Sequence, residues 1–368
     1  MENNNKFTTI VDIVSDDAAL ASYSADVPLS DANVASKISN PFQQLGIPLT
    51  SVMTLVEKYD YFLLDCDGVI WSGSKVIDQS ALVLNYLHFL GKKIFFITNS
   101  SGKTRQQYLE TFHRIGYQSC TAEQIYGSAY TTANYIKEKY PEVKKCRVVG
   151  MNSIRKELEF QGIESEGGED MPIFESNQDV EKKVMNIKDF ENYSLDREVS
   201  AVVVGLDTKF TYSKLAIASM YIQTHGAKFI ATNGDAYDNV NGRKMPGAGA
   251  MVNSILYTLD QADKSRESFK PEIIGKPNPY VIELIMKENQ ICDKSKMIMI
   301  GDRPDTDILL GTNAGIDKCL TLTGVVESLD EIPSWIEKNP GCKPTYVMQS
   351  FGLLVAMVQQ SMMNMKLI

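Results

Sequence analysis

Tyr61–Trp71 reads Tyr-Phe-Leu-Leu-Asp-Cys-Asp-Gly-Val-Ile-Trp, a short apolar run followed directly by two acids. The four apolar residues Tyr61–Leu64 are enough for one buried strand and too few for a helix that stands alone. Open parallel sheets bind ligands beyond the carboxyl ends of their strands, so Asp65 and Asp67 are predicted to lie at a binding edge. Alternation along an extended chain turns these two side chains to one side and Cys66 to the other.

Two further apolar runs also end in polar side chains. Ile94–Ile97 is followed by Thr-Asn-Ser-Ser at 98–101, and Met297–Ile300 is followed by Gly-Asp-Arg-Pro-Asp-Thr-Asp at 301–307. Between them, Lys276 stands in a Gly-Lys-Pro turn. Each stretch alone is equally well explained by a solvated loop or a surface lysine. Three strand ends and one turn in this order can, however, converge on a single phosphate group.

These four stretches resemble the four motifs of the haloacid dehalogenase-like hydrolases, in the same order along the chain. The strings at 65–71 and 301–307 are similar in particular to the 4-nitrophenylphosphatase and phosphoglycolate phosphatase branch, subfamily IIA, whose cap is of the C2 type. The likeness extends from about Thr54 to the Leu-Thr-Gly-Val segment at 322–325 and on towards the end. It implies a Mg²⁺-dependent phosphomonoesterase that hydrolyses small phosphorylated metabolites through an aspartyl-phosphate. Expected substrates are 4-nitrophenyl phosphate in vitro and 2-phosphoglycolate.

The resemblance implies a role for each motif acid. Asp65 is expected to attack phosphorus and to carry the phosphoryl group, which divides one difficult step into two. Asp67 is expected to protonate the leaving oxygen and later to accept a proton from water. Because two carboxylates repel a phosphate dianion, a cation is required, and Mg²⁺ suits oxygen ligands. The implied metal ligands are the side chains of Asp65 and Asp302 and the backbone carbonyl of Asp67.

The remaining motif residues are expected to hold the phosphoryl group. Thr98, Asn99 and Ser100 would supply hydrogen bonds to its oxygens, and Ser100 stands where the branch often has Asn. Lys276 would neutralise the charge on the transferring group. Asp307 is expected to support the metal or Lys276 without binding the metal directly, or to cap the helix that begins beside it.

The chain is longer than one hydrophobic core usually supports, at 368 residues. Strand and helix patterns alternate, which favours a parallel sheet. The predicted fold class is α/β, a Rossmann-like doubly wound parallel-sheet core with an inserted α/β cap. The predicted parts are a partly disordered N-terminal leader (1–53), the first part of the core (54–142), the cap (143–269) and the second part of the core (270–368).

Apolar periodicity bounded by glycine and proline predicts further elements. The predicted helices are 51–56, 80–90, 104–115, 129–140, 212–224 and 352–363, and the further strands are 146–150, 199–205 and 228–231. Within the cap, Thr-Asn-Gly-Asp at 232–235 resembles the family's substrate-specificity loop, which descends over the active site. The string Gly-Arg-Lys-Met-Pro-Gly-Ala-Gly at 242–249 is interpreted as a tight turn.

Charge and hydropathy restrict the classes of partner. A net charge of −9 argues against nucleic acid, which needs a basic surface. No apolar run reaches the length of about 18 residues that a membrane helix needs, and Met1–Phe7 carries no apolar signal core. The aspartates before residue 40 disfavour a mitochondrial transit peptide. We therefore expect a cytoplasmic protein, and the resemblance implies a small-molecule phosphate ester as its partner. Because caps of this family often pair, a homodimer through the cap is also expected.

The six cysteines are dispersed and form no close pair, which favours reduced thiols over a zinc site or a disulfide framework. Cys66 stands between the two motif acids. Its simpler interpretation is a small buried hydrophobic residue, and a redox role is the alternative.

Several alternative functions stay open on the sequence. A phosphotransferase or phosphomutase would pass the phosphoryl group from Asp65 to an alcohol instead of water. A phosphatase for pyridoxal phosphate or nucleotides would differ in its cap. A binding or regulatory protein would keep the fold without turnover, although all four motifs are chemically complete here.

Overall fold

The computed structural model describes residues 41–169, 190–191, 193–240, 243–262 and 269–353. Most of the predicted leader (1–53) and most of the predicted helix at 352–363 lie outside these residues, and Gly352 itself lies in a turn. Within the described ranges, each helix is too short or too polar to span a lipid bilayer.

The strands of the described chain, in order, are β1 (Tyr61–Leu64), β2 (Trp71–Ser72), β3 (Lys75–Val76), β4 (Lys93–Thr98), β5 (Ile125–Gly127), β6 (Lys145–Val149), β7 (Glu164–Gly167), β8 (Val199–Val204), β9 (Lys228–Ala231), β10 (Tyr237–Val240), β11 (Arg243–Pro246), β12 (Glu272–Ile273), β13 (Met297–Gly301), β14 (Asp317–Thr321) and β15 (Tyr346–Met348). The α-helices are α1 (Pro41–Gln44), α2 (Val52–Lys58), α3 (Ser80–Phe89), α4 (Arg105–Arg114), α5 (Ser128–Lys139), α6 (Asn152–Phe160), α7 (Tyr212–His225), α8 (Ala248–Ala262), α9 (Tyr280–Glu288), α10 (Leu309–Ala314) and α11 (Ile332–Lys338).

The central sheet is parallel throughout, as predicted. Its order is β15-β14-β13-β1-β4-β5, so β1 pairs with β13 on one side and with β4 on the other. The strand order therefore reverses beside β1, and the carboxyl ends of β13, β1 and β4 lie next to one another. Open α/β sheets bind their ligands at such a switch point.

Alternate residues of β1 pack on opposite faces of this sheet. Phe62 and Leu64 are fully buried in a cluster that includes α3 and α4, whereas Leu63 is buried with residues of α9 and α10. Because helices cover both faces, the strand is apolar at every position. The polar chain that follows, beginning at Asp65, leaves the sheet at its edge.

A second parallel sheet is built from the chain between the two parts of the core. Its order is β12-β9-β8-β6-β7, with α7 and α8 packed on one face and α5 and α6 on the other. The predicted α/β cap thus corresponds to a sheet with helices on both sides. This sheet also includes β12, which pairs with β9 and lies beyond the predicted end of the cap at residue 269.

The predicted helices and strands of the described chain are confirmed to within two residues at each end. One interpretation was wrong. Residues 243–246 are not part of a tight turn but form β11, which pairs antiparallel with β10. The strand β7 was not predicted, because its sequence Glu-Ser-Glu-Gly is polar, and as an edge strand it is only partly buried.

The start of α4 generates a stability prediction. Thr104 Oγ1 accepts a hydrogen bond from the N–H of Gln107 (3.3 Å), and Gln107 Oε1 accepts one from the N–H of Thr104 (2.8 Å). Removing this reciprocal cap in Thr104→Ala is expected to lower the free energy of unfolding by about 1 kcal/mol, measured by urea denaturation. The exposed neighbour Gln106 provides the control. An equal loss in Gln106→Ala would contradict the capping argument.

Candidate active site

The carboxyl ends of β1, β4 and β13 open onto one cavity of about 310 Å³. The lining includes the predicted site residues Asp65, Asp67, Thr98, Asn99, Ser100, Lys276 and Asp302. Asp307 is completely buried behind Lys276 and contacts its side chain. All the predicted site residues therefore lie together.

Lys276 lies between two of the carboxylates. Its Nζ donates a hydrogen bond to Asp65 Oδ1 at 2.6 Å and lies 2.7 Å from Asp307 Oδ1. It also donates to the carbonyl oxygen of Ile97 at 3.3 Å. Although burial lowers the pKa of Lys276, the charges of Asp307 and Asp65 raise it above its ordinary value. The ammonium group therefore stays charged inside the protein.

Three carboxylates converge where one lysine cannot balance them. Oxygens of Asp65, Asp302 and Asp307 lie within 4.8 Å of one another. Burial, followed by the charge of Asp307, raises the pKa of Asp302 to about 7. Asp307 Oδ1 receives no well-oriented hydrogen bond in spite of its contact with Lys276. Buried carboxylate oxygens with open lone pairs fit a hard divalent cation, so these residues fit the metal that the sequence predicted.

Two glycines leave the space that Asp302 occupies. A Cβ at Gly68, whose φ is +88°, or at Gly324 would overlap the Asp302 carboxylate. The N–H of Val325 donates to Asp302 Oδ2 at 2.7 Å, and the hydroxyl of Thr323 donates to the carbonyl of Gly68 at 2.5 Å. The loop after β14 thus holds an acid that follows β13, a role that its sequence alone did not suggest.

Asp67 lies on the cavity wall, where water still reaches it. The indole N–H of Trp71 donates to Asp67 Oδ1 at 3.1 Å. Desolvation by the surrounding protein raises the pKa of Asp67, against the opposing effects of Trp71 and Lys276. A raised pKa favours the protonated form that a general acid needs.

Asn99 connects the turn of Lys276 with the cap. Its Oδ1 accepts from the N–H of Lys276 (2.7 Å), and its Nδ2 donates to the carbonyl of Lys276 (3.0 Å) and to Asp235 Oδ2 (3.0 Å). Its carbonyl accepts from Ser128 Oγ and from Asn233 Nδ2, both at 2.7 Å. The side chain thereby positions the lysine turn, and its predicted contact with a phosphoryl group stays a prediction.

Thr98 and Ser100 border the cavity on either side of Asn99. The N–H of Ser100 donates to Thr98 Oγ1 at 3.1 Å, which fixes the threonine hydroxyl at the end of β4. The hydroxyl hydrogen of Thr98 can still rotate about the C–O bond, so this group can donate a hydrogen bond to an oxygen of a bound anion.

Residues of the cap also line the cavity. Asn233 and Asp235 belong to the predicted specificity loop, whereas Tyr237 and Asp238 of β10 were missed because the hairpin was interpreted as a turn. Arg303 was missed as well, although its position beside Asp302 was a usable signal. Its Nε and Nη2 pair with the two oxygens of Asp305 at 2.7 and 3.3 Å.

Cys66 is turned away from the cavity and is fully buried in the core. Burial is the main reason that the pKa of its thiol lies well above the ordinary value, and the charge of Asp65 raises it further. A thiol that does not ionise is a poor nucleophile and a poor redox sensor. The structure therefore favours the packing role of Cys66.

Comparison with known proteins gives consistent matches. The haloacid dehalogenase-like hydrolase family matches residues 62–164, and a related HAD-hydrolase-like family matches residues 273–354. Phosphoglycolate phosphatase 2 of Arabidopsis thaliana is 33% identical over 309 residues, which cover 83% of this chain and 95% of that protein. The 4-nitrophenylphosphatase of Schizosaccharomyces pombe is 33% identical over 324 residues, 87% of this chain and 99% of that protein.

Among solved structures, the 4-nitrophenylphosphatase of Thermotoga maritima aligns with a TM-score of 0.64 and 27% identity. The alignment covers 83% of this chain and 99% of that one.

The bonds of Asn99 generate a second prediction. Asn99→Ala leaves the buried N–H of Lys276 without its acceptor, which is expected to lower the free energy of unfolding by about 1–3 kcal/mol in urea denaturation. The control is Asn313, an exposed residue whose Nδ2 donates a hydrogen bond of 2.9 Å to the carbonyl of Pro277 in the same turn. Asn313→Ala removes this bond. This control is expected to cost less than about 0.5 kcal/mol. Equal losses in the two variants would refute the positioning role of Asn99.

Proposed function

The chain belongs to the haloacid dehalogenase-like hydrolase family and is a phosphatase, and we propose that it hydrolyses small phosphate monoesters with Asp65 as the nucleophile. The observation that carries this proposal is the hydrogen bond of 2.6 Å between Asp65 Oδ1 and Lys276 Nζ, in a cavity that Asp67 also lines. The cavity volume of about 310 Å³ is near the lower end of known ligand pockets. Compact esters such as 4-nitrophenyl phosphate and 2-phosphoglycolate are therefore suitable substrates.

In the first step, an oxygen of Asp65 attacks phosphorus, and the bond from phosphorus to the leaving oxygen breaks with its electron pair. Burial raises the pKa of Asp65, and the charge of Lys276 opposes this rise and so favours the carboxylate form. The ammonium of Lys276 also orients Asp65, since it donates to one carboxylate oxygen. Asp67 gives its proton to the leaving oxygen, and the Trp71 hydrogen bond holds it for this transfer. The products are an alcohol and an aspartyl-phosphate on Asp65.

In the second step, water attacks the phosphorus of the aspartyl-phosphate. Asp67, now without its proton, accepts one from this water. The bond between phosphorus and the Asp65 oxygen breaks, which releases inorganic phosphate and restores the carboxylate. Thr98 and Ser100 would donate hydrogen bonds to the phosphoryl oxygens in both steps.

The family is metal-dependent, and Mg²⁺ is the cation that we propose here. The side chains of Asp65 and Asp302 and the carbonyl of Asp67 would hold it, with Asp307 supporting from the side of Lys276. When bound, such a cation offsets the negative charge of the phosphate and the carboxylates. The cluster of three buried carboxylates supports this assignment.

A cytoplasmic location and a homodimer formed through the cap also belong to the proposal. The six cysteines are all free, which agrees with a reducing compartment. The pairing of caps rests on the family resemblance.

A burst experiment tests the two acid roles separately. The 4-nitrophenolate anion leaves without a proton, so Asp67→Asn should still form the aspartyl-phosphate from 4-nitrophenyl phosphate. Water attack in this variant lacks its base, so stopped-flow absorbance should show a burst of about one 4-nitrophenolate per enzyme, followed by slow turnover. Asp65→Asn should give neither a burst nor turnover.

Asp60, which directly precedes β1, provides a matched control. Its exposed carboxylate forms an ion pair with Lys92 and does not line the cavity. Asp60→Asn should turn over without a change of rate-limiting step. Turnover by Asp65→Asn at the wild-type rate would refute the nucleophile, and a burst from Asp65→Asn would assign the covalent step to another residue.

A further inference from the structure

The cavity carries an acidic wall formed largely by the cap. Asp235 and Asp238 line it together with Asp67, the proposed general acid that protonates the leaving group. Burial is the largest cause that raises the pKa of Asp238, and the charges of Asp235 and Asp67 raise it further. The three carboxylates are therefore close enough to repel one another. The leaving group of a bound phosphate ester must therefore occupy space that these acids border.

Asp238 differs from the other two acids in having no side-chain partner among the residues that the structure describes. Asp67 accepts a hydrogen bond from Trp71, and Asp235 accepts from Asn99 and Asn233 at 3.0 and 3.3 Å. Within the described chain, the Asp238 carboxylate receives neither a hydrogen bond nor an ion pair. Its oxygens are therefore open to a ligand in the cavity.

Arg303 is a cationic residue that borders the same wall. Its charge lowers the pKa of Asp238, but by less than burial and the charges of Asp235 and Asp67 raise it. Its Nε and Nη2 also pair with the partly exposed Asp305, and the guanidinium lies 5.2 Å from the centre of the Tyr237 ring. Lys276, the other cation of the cavity lining, is held by Asp65 and Asp307. The charges around Asp238 are thus negative on balance, so a carboxylate on the leaving group would be repelled there.

We propose that Asp238 is a specificity-determining residue that favours phosphate esters of uncharged polyols over esters whose leaving group carries a carboxylate. This inference rests on the proposed function and refines its substrate class: 2-phosphoglycolate fits the cavity by size but is expected to be a poorer substrate than the phosphate ester of a polyol. A polyol hydroxyl can donate a hydrogen bond to Asp238, whereas a carboxylate is repelled by it. Ser72 and Tyr237 line the same cavity and carry hydroxyl groups.

The test compares kcat/KM for glycerol phosphate and for 2-phosphoglycolate, with 4-nitrophenyl phosphate as the assay of phosphatase competence. Asp238→Asn keeps the shape and a hydrogen-bond acceptor but removes the charge. The kcat/KM for 2-phosphoglycolate divided by that for glycerol phosphate should rise about tenfold or more. The reason is that like charges a few ångströms apart interact strongly in a partly desolvated cleft. Asp238→Lys should raise the ratio further.

Two controls isolate the local charge. Asp260 lies exposed on α8 and does not line the cavity, so Asp260→Asn makes the same change of net charge and should leave the ratio unchanged. In the wild-type enzyme, added sodium chloride should reduce the discrimination against 2-phosphoglycolate, because salt screens a partly exposed charge.

The outcomes separate the two proposals. Hydrolysis of the esters with the same ratio in wild type and Asp238→Asn, or an equal change in Asp260→Asn, would overturn the role of Asp238 and leave the phosphatase proposal intact. Release of phosphate from none of the three esters by the wild-type enzyme would overturn the proposed function, and this inference with it.

Discussion

The ion pair between Lys276 and the carboxylates of Asp65 and Asp307 is the interaction on which the site depends. These three groups are buried, and a charge without a partner would be strongly unfavourable there. With Asp302 added, three carboxylates face one ammonium group. The remaining negative charge makes the site suited to a cation and, through that cation, to a phosphate. Electrostatic need and catalytic use are thus served by the same residues.

The fold supplies this pair from distant parts of the chain. Asp65 follows β1 and Asp307 follows β13, which are neighbours in the sheet, whereas Lys276 comes from the turn after β12 of the second sheet. Asn99, at the end of β4, binds the backbone of this turn and also reaches Asp235. The same side chain therefore joins the core to the cap and positions the turn that carries the lysine. The glycines beside Asp302 matter for the same reason, because a side chain there would displace the acid.

Much of this arrangement could be predicted from local sequence. Tyr61–Leu64 is a strand because it is apolar on both faces, and the acids after it lie at the edge because parallel strands share a direction. Contacts between distant loops left no local signal, so the bonds of Asn99 and the loop of Gly324 were found only in the structure. The strand β11 was interpreted as a turn, since Gly and Pro near 243–246 suggested one, while pairing with β10 decided the outcome. Asp238 was overlooked for the same reason, although it is the open acid of the cavity wall.

Rapid acid quenching with a substrate labelled in its phosphoryl group, followed by peptide mapping, tests the central claim most directly. In the presence of Mg²⁺, the label should be recovered on the peptide that contains Asp65, as an acyl phosphate that hydroxylamine removes, and chelation of the metal should abolish it. Label on another residue, or steady turnover without any label on Asp65, would contradict the account.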